Sequence, residues 1–279
     1  VGAVGMTCSI ATIHQSDATT VFSADQVSTL PATNLYKRLP TTVWRTPTNT
    51  GQVTFANVTF PVSQIVLLYT NATAACTIRV RADTVVALIT VSPDFDTGVI
   101  DHQPGSRDWS AWSRTHFVLD LGTPVNKPAW RIDIDQVSGG PGYYQAGRVG
   151  LLEPHRPSRG IDWGDRIMPV TDTKLARSRN GTAHPRRAGR WREVEFRMTA
   201  AAAVAETEFL ASMGDVVRRN EGHVPVLYHK KPRAVTIGTS PVGGITMYRN
   251  DNVMDEVVYG YFRELPFPDN SRRQVHRMN

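Results

Sequence analysis

At 279 residues the chain exceeds the usual size of one domain, so two domains of roughly 120 to 160 residues each are expected. Apolar residues make up 41% and charged residues 20%, ordinary globular values that exclude a largely disordered chain. No apolar run reaches the roughly 18 to 20 residues of a membrane-crossing helix, and Val1 to Thr20 lacks the basic-then-apolar pattern of a secretion signal.

From Val1 to about Glu153 the chain is rich in Thr and Val and is interrupted every 8 to 12 residues by Pro, Gly, Asn or Asp. This spacing predicts an all-β sandwich. Strands are expected over Gln52 to Phe60, Gln64 to Tyr69, Cys76 to Asp83, His116 to Asp120, Ala129 to Asp135 and Gly147 to Leu152. Cys76, Ile78 and Val80 alternate with Thr77, Arg79 and Arg81, the period-two mark of a half-buried strand. Ile132 and Ile134 alternate with Asp133 and Asp135 in the same way. Ile65-Val66-Leu67-Leu68 is continuously apolar, which suits a strand covered on both faces.

A first domain over residues 1–157 is followed by an expected arm or linker over 158–190, where Gly, Pro and Arg recur with little apolar periodicity. Much of the net charge of +6 sits here and just beyond, in Lys174, Arg177, Arg179, Arg186, Arg187, Arg190 and Arg192. These cations are interleaved with Ser, Asn, Gly and Pro instead of stacking aromatics, a pattern that favours a solvated or inter-subunit loop over a nucleic-acid groove. Residues 191–279 then read as an α+β domain. Trp191 to Met198 alternates as a strand, and Thr199 caps an expected helix over Ala200 to Arg219. Strands are expected over Pro225 to Tyr228, Ala234 to Gly238, Ile245 to Tyr248 and Val257 to Leu265.

Two groups of residues carry a resemblance. Pro31-Ala32-Thr33-Asn34-Leu35 followed by Val43-Trp44-Arg45, with Phe117 to Gly122 and Trp130 to Ile134 later, is similar to discoidin-like, galactose-binding-like domains. That resemblance implies an N-terminal jelly-roll sandwich whose buried Trp fixes the entry of the chain. Tyr143 to Val149, Pro157 to Gly164, Arg177 to Gly181, Trp191 to Phe196 and Val258-Tyr259-Gly260, taken in order, resemble a family of tailed-bacteriophage minor tail or baseplate proteins. What this second resemblance implies is a virion structural protein of the tail tip, assembled in the host cytoplasm. Its second domain would be tail-tube-like, packing as a ring of three or six copies between tube, hub and fibres. On that view Arg177, Arg179, Arg186, Arg187 and Arg190 lie on an arm that packs against adjacent copies.

The residues that bear chemistry do not assemble into a catalytic pattern, and no enzyme activity or cofactor is expected. Eight histidines, His14, His102, His116, His155, His184, His223, His229 and His276, are scattered singly, without metal-ligand spacing. Cys8 and Cys76 form neither a disulfide framework nor a metal motif, though a pairing between them stays open. Asp94, Asp96 and Asp101 offer fragments of a calcium loop, weighed against an ordinary Asp-rich turn. A carboxylate pair of Asp94 or Asp96 with Glu153 is compatible with a glycosidase but is favoured by nothing else. Trp109, Trp112, Tyr143 and Tyr144 fall in loops at one end of the sandwich. They are weighed as a face for a host-surface glycan, the alternative function, against a structural role in anchoring loops or an interface.

Overall fold

The computed structural model describes residues 8–12, 19–36, 42–103, 114–136, 141–154, 156, 166–171, 174–177, 183–186, 190–198, 226–230, 233–251, 254, 257–260 and 274–278. Within them the chain is mainly β. The first strands in chain order are β1 (Cys8–Thr12), β2 (Thr20–Phe22), β3 (Trp44–Arg45), β4 (Thr50–Ala56), β5 (Val62–Thr70), β6 (Cys76–Asp83), β7 (Phe95–Asp96), β8 (Ile100–Asp101), β9 (Thr115–Val125), β10 (Ala129–Gln136), β11 (Gln145–Ala146) and β12 (Arg148–Leu152). Then come β13 (Arg166–Thr171), β14 (Lys174–Arg177), β15 (Ala183–Arg186), β16 (Arg190–Met198), β17 (Val226–Lys230), β18 (Val235–Thr239), β19 (Thr246–Arg249), β20 (Val257–Gly260) and β21 (Gln274–Met278). The helix expected over Ala200 to Arg219 lies outside the described residues, among which no helix is long and apolar enough to cross a membrane.

Two antiparallel sheets form a sandwich. One has the order β2-β4-β10-β6-β7, with β8 also on β6; the other has the order β12-β5-β9-β19-β18. Alternation decides what each strand buries. On β6 and β10, Ile78, Val80, Ile132 and Ile134 enter the core with Trp130, Phe55 and Val53, while Thr77, Arg79, Arg131 and Asp133 face outward. Arg81 and Arg131 are directly opposite across the ladder, a like-charge pair that costs free energy unless neutralised. Asp133 neutralises it, accepting from Arg81 at 2.5 Å and Arg131 at 2.7 Å.

β5 shows why a continuous apolar run is needed. Ile65 and Leu67 point into the sandwich core, whereas Val66 and Leu68 join Val118, Leu152, Leu227, Met254 and Val257 in a second core on the outer face of the same sheet. That face is covered because a third sheet, order β1-β17-β20, supplies Leu227 and Val257. Gly150 of β12 permits the close fit, since a Cβ there would sit 2.9 Å from Val66 Cγ2.

Strands from both sides of residue 157 share sheets. β1 pairs along its length with β17, and the β18–β19 hairpin extends the second sandwich sheet by pairing β19 with β9. Asp120 of β9 is the polar fastener of this arrangement. It is fully buried, and its carboxylate accepts from Arg156 at 2.6 Å and Arg233 at 2.8 Å. Arg233 also donates to Leu121 O at 3.1 Å and lies 5.1 Å from the Tyr248 ring centre, tying the hairpin to β9.

The described residues of the stretch 158–190, expected as an arm or linker, include the strands β13, β14 and β15. β13 pairs with β16, which also pairs with β21, and β14 pairs with β15. Pro169 and Pro185 stand inside β13 and β15. Proline is tolerated there because, among the described residues, each strand has a neighbour on one side only.

Candidate functional site

One end of the sandwich gathers the connections 46–49, 71–75 and 141–144, together with residues 102–103 that leave β8. The short β3–β11 ribbon, with Arg45 opposite Gln145 and Trp44 opposite Ala146, closes this end. Trp44 is fully buried and meets Tyr144 edge-on at 6.1 Å between ring centres. Arg45 and Tyr143, each the neighbour of one of these core aromatics, alternate outward and are half-exposed.

The outward pair is held rigidly. The Arg45 guanidinium lies 4.1 Å above the Tyr143 ring centre, and its Nη2 donates to Gln145 Oε1 at 2.9 Å. Asn71 Nδ2 donates to Tyr143 O at 3.0 Å, while its Oδ1 accepts from the Gln145 N–H at 2.7 Å, so one amide pins the backbone on both sides of Tyr144. Thr46 Oγ1 accepts from the Tyr144 N–H at 2.8 Å. Around this frame Asn49 Oδ1, Thr73 Oγ1, Gln103 Oε1 and Gln136 Oε1 are buried without a hydrogen-bond partner among the described residues.

Beneath the frame lies a buried polar layer. His102 is buried, with Nε2 3.1 Å from Thr70 Oγ1, and Thr70 Oγ1 is 2.8 Å from Thr115 Oγ1. Burial and the nearby charge of His116 press the His102 pKa down to about 3, so the ring is neutral. Burial, helped by the charge of Asp135, pushes the Cys76 thiol up to about 12. Cys76 is a free buried thiol, unpaired with Cys8 and unsuited to nucleophilic work.

The residues singled out from sequence are distributed unevenly. Tyr143 stands at this end, with one ring face taken by Arg45. Tyr144 corrects the expectation: it is fully buried against Trp44 and offers no face to a ligand, because adjacent residues of an extended chain point opposite ways. Trp109 and Trp112 lie outside the described residues, as do Arg179 and Arg187. Arg177 and Arg186 are in the β14–β15 hairpin, and Arg190 opens β16 opposite Thr171.

The calcium candidate does not assemble. Arg79 clasps Asp96 through Nε and Nη2, and the Gly98 N–H donates to Asp96 Oδ1 at 2.8 Å. Burial opposes the charged form of Asp96, yet these donors and the charges of Arg79 and Arg81 outweigh it and hold the carboxyl below the usual range. Asp94 is paired to Lys127 at 2.5 Å, and Asp101 is exposed on β8. No three His, Cys, Asp or Glu side chains converge on a metal position among the described residues. With Asp96 consumed by Arg79, a glycosidase pair of Asp96 with Glu153 has no free carboxylate on that side.

Sequence reasoning passed over Asn71 and Gln136, because amides 65 positions apart carry no local signal, and Gln145 was visible only within the Tyr143 to Val149 motif. Arg45 was visible only as part of the Trp44 motif.

No family model matches the chain, and no curated protein matches it. Among solved structures it is similar to the family 32 carbohydrate-binding module of Clostridium perfringens NanJ in complex with galactose, at 14% identity and a TM-score of 0.38, over 52% of this chain and 99% of that one. A second module of that family, also from Clostridium perfringens, matches at 12% identity and a TM-score of 0.34, over 52% of this chain and 99% of that one. A fucolectin from striped bass serum matches at 12% identity and a TM-score of 0.35, over 93% of this chain and 90% of that one. Nothing in these comparisons supports a phage tail or baseplate protein, and at these scores no function is carried across.

Proposed function

We propose that the chain is a carbohydrate-binding protein, and not a catalyst, that presents the β3–β11 end of its sandwich to a glycan. The observation that carries this reading is the preset frame of Arg45, Tyr143, Asn71 and Gln145. A sugar displays hydroxyls that donate and accept at once, on a ring with apolar faces. Guanidinium and amide groups match adjacent hydroxyls in pairs, and an aromatic ring covers the apolar face. Here the Arg45 guanidinium and the Tyr143 ring meet at one end, held in place by the main-chain hydrogen bonds of Asn71 and the bond from Arg45 to Gln145. Rigid placement lowers the entropy lost on binding.

The tail-tip role implied by the sequence motifs has no comparable geometric observation behind it. The test is a glycan array followed by calorimetry, with galactose and fucose heading the panel. Arg45→Ala and Tyr143→Ala are expected to weaken binding at least tenfold while leaving thermal unfolding within a few degrees of the parent. An array without any bound glycan, or binding that survives both substitutions unchanged, would overturn the reading.

A further inference from the structure

The sandwich sheets manage most of their edges. β2 is three residues long, β7 and β8 are two each, and β12 is buried throughout. The outer side of β7 is closed by a bridge between Asp96 and Val242. The exception is β18, the end strand of its sheet, which is exposed along nearly its whole length. It carries none of the lysines, prolines or inward charges that normally keep an edge from pairing. Its bulge at Ile237 adds twist but leaves the strand uncharged.

The surface next to it is apolar. Of the eight exposed large apolar side chains among the described residues, all but Phe22 lie within 85–99 and 235–242. Leu88 is 45% exposed and Val91 80%, on a turn anchored by the fully buried Ile89. The two segments adjoin, since Val242 bridges to Asp96 and Gly98 backs onto Pro241. Neither Thr84 to Pro93 nor Ala234 to Met247 contains a charged residue, in a chain whose net charge is +6.

We infer that β18 and the adjoining apolar turn form a contact between two copies of this chain, the β18 strands pairing antiparallel about a two-fold axis. Three arguments select this occupant. The outer edge of β18, which has no strand partner among the described residues, is a ready template for another strand, and a second β18 brings the same twist and bulge by symmetry. Copies carrying +6 repel one another over most of their surface, and this uncharged side is where that repulsion is least. The length of the two segments together falls in the range of roughly 20 to 30 residues that a stable interface takes from each partner. Joining the edges makes one continuous ten-stranded sheet of two five-stranded ones. The hairpin joins β9 at Leu119 to Leu121, whereas Thr115 at the start of β9 lies with Thr70 under the Arg45–Tyr143 end, and the contact does not depend on what binds there.

The full chain is measured by sedimentation velocity over about 1 to 100 μM, beside Thr236→Lys with Thr239→Lys as an edge variant and Val91→Asp as a turn variant. All three positions are exposed, and circular dichroism checks that the fold is kept. The expected result is a dimer for the parent that loses at least tenfold in affinity in each variant and is insensitive to salt. A parent that stays monomeric at 100 μM overturns the inference. So does a dimer, or a ring of three or six, whose assembly the two variants leave unchanged.

Discussion

Lowering the pH from 7 to 4.5 is expected to cost this protein a large part of its stability through two buried histidines. His102 sits under the β3–β11 end, packed 5.5 Å from the Phe117 ring centre and 6.4 Å from that of Tyr144. His229 of β17 is buried at the junction of the third sheet with the sandwich, its Nδ1 3.4 Å from Gln64 Nε2. Burial depresses both pKa values to about 3, with the charge of His116 adding to the effect on His102 and that of Arg156 to the effect on His229. The unfolded chain takes up these protons near pH 6.5 and the folded chain refuses them until about 3. Stability is therefore complete above 6.5 and falls as the pH drops through that window. Each histidine contributes a slope of about 1.4 kcal/mol per pH unit, so at pH 4.5 the pair costs about 5 kcal/mol. That is comparable with the whole stability of many domains. The carboxyls of Asp83 and Asp96, also held low in the folded chain, begin to matter only near their ordinary 3.8, which keeps this window clear of them. Urea unfolding at half-unit pH steps is the assay, on the parent, His102→Gln, His229→Gln and the double variant. Each single variant should lose about half of the slope between pH 6 and 4.5. A parent whose unfolding free energy changes by less than about 1 kcal/mol over that interval would refute the reasoning, as would a double variant with the parent's slope.

Gly150→Ala should overpack the second core, because the added carbon meets Val66 Cγ2 at 2.9 Å and Leu152 Cδ2 at 3.2 Å. A loss of about 1 to 3 kcal/mol is expected in chemical denaturation. Asp120→Asn keeps the size of the side chain but removes the charge shared by Arg156 and Arg233, with an expected cost of about 3 kcal/mol. A double-mutant cycle with Arg233→Gln should show coupling, and additive losses would detach the hairpin from this fastener.

The parts of the fold legible in the sequence are those in which one strand's own pattern states its surroundings. Ile132 and Ile134 against Asp133 announce one dry and one wet face, and the unbroken Ile65 to Leu68 announces two dry ones. Which residues supply the second dry face was not legible, since Leu227 and Val257 come from more than 150 positions away and local periodicity says nothing about partners. Proline in β13 and β15 looked like loop chemistry because a one-sided strand and a loop tolerate it equally. The candidate site shows the same division. An aromatic pair at 143–144 marked the right connection, but alternation permits either ring to face inward, and Trp44 and Thr46 settle it in favour of Tyr144. Asp96 looked like a cation ligand until Arg79, 17 residues earlier, met it across the sheet.

The pairing of β1 with β17 also sets a schedule for synthesis. On a ribosome adding roughly 5 to 20 residues per second, the strand at Cys8–Thr12 leaves the exit tunnel roughly 10 to 40 s before its partner at Val226–Lys230 exists. For that interval Ile10 and the outer face of β5 have no native cover, and the nascent chain displays an open strand beside the apolar stripe of Val66 and Leu68. A chaperone that holds emerging β segments would act in that interval, and a ribosome stalled before residue 226 would expose a chain ready to pair with the wrong neighbour.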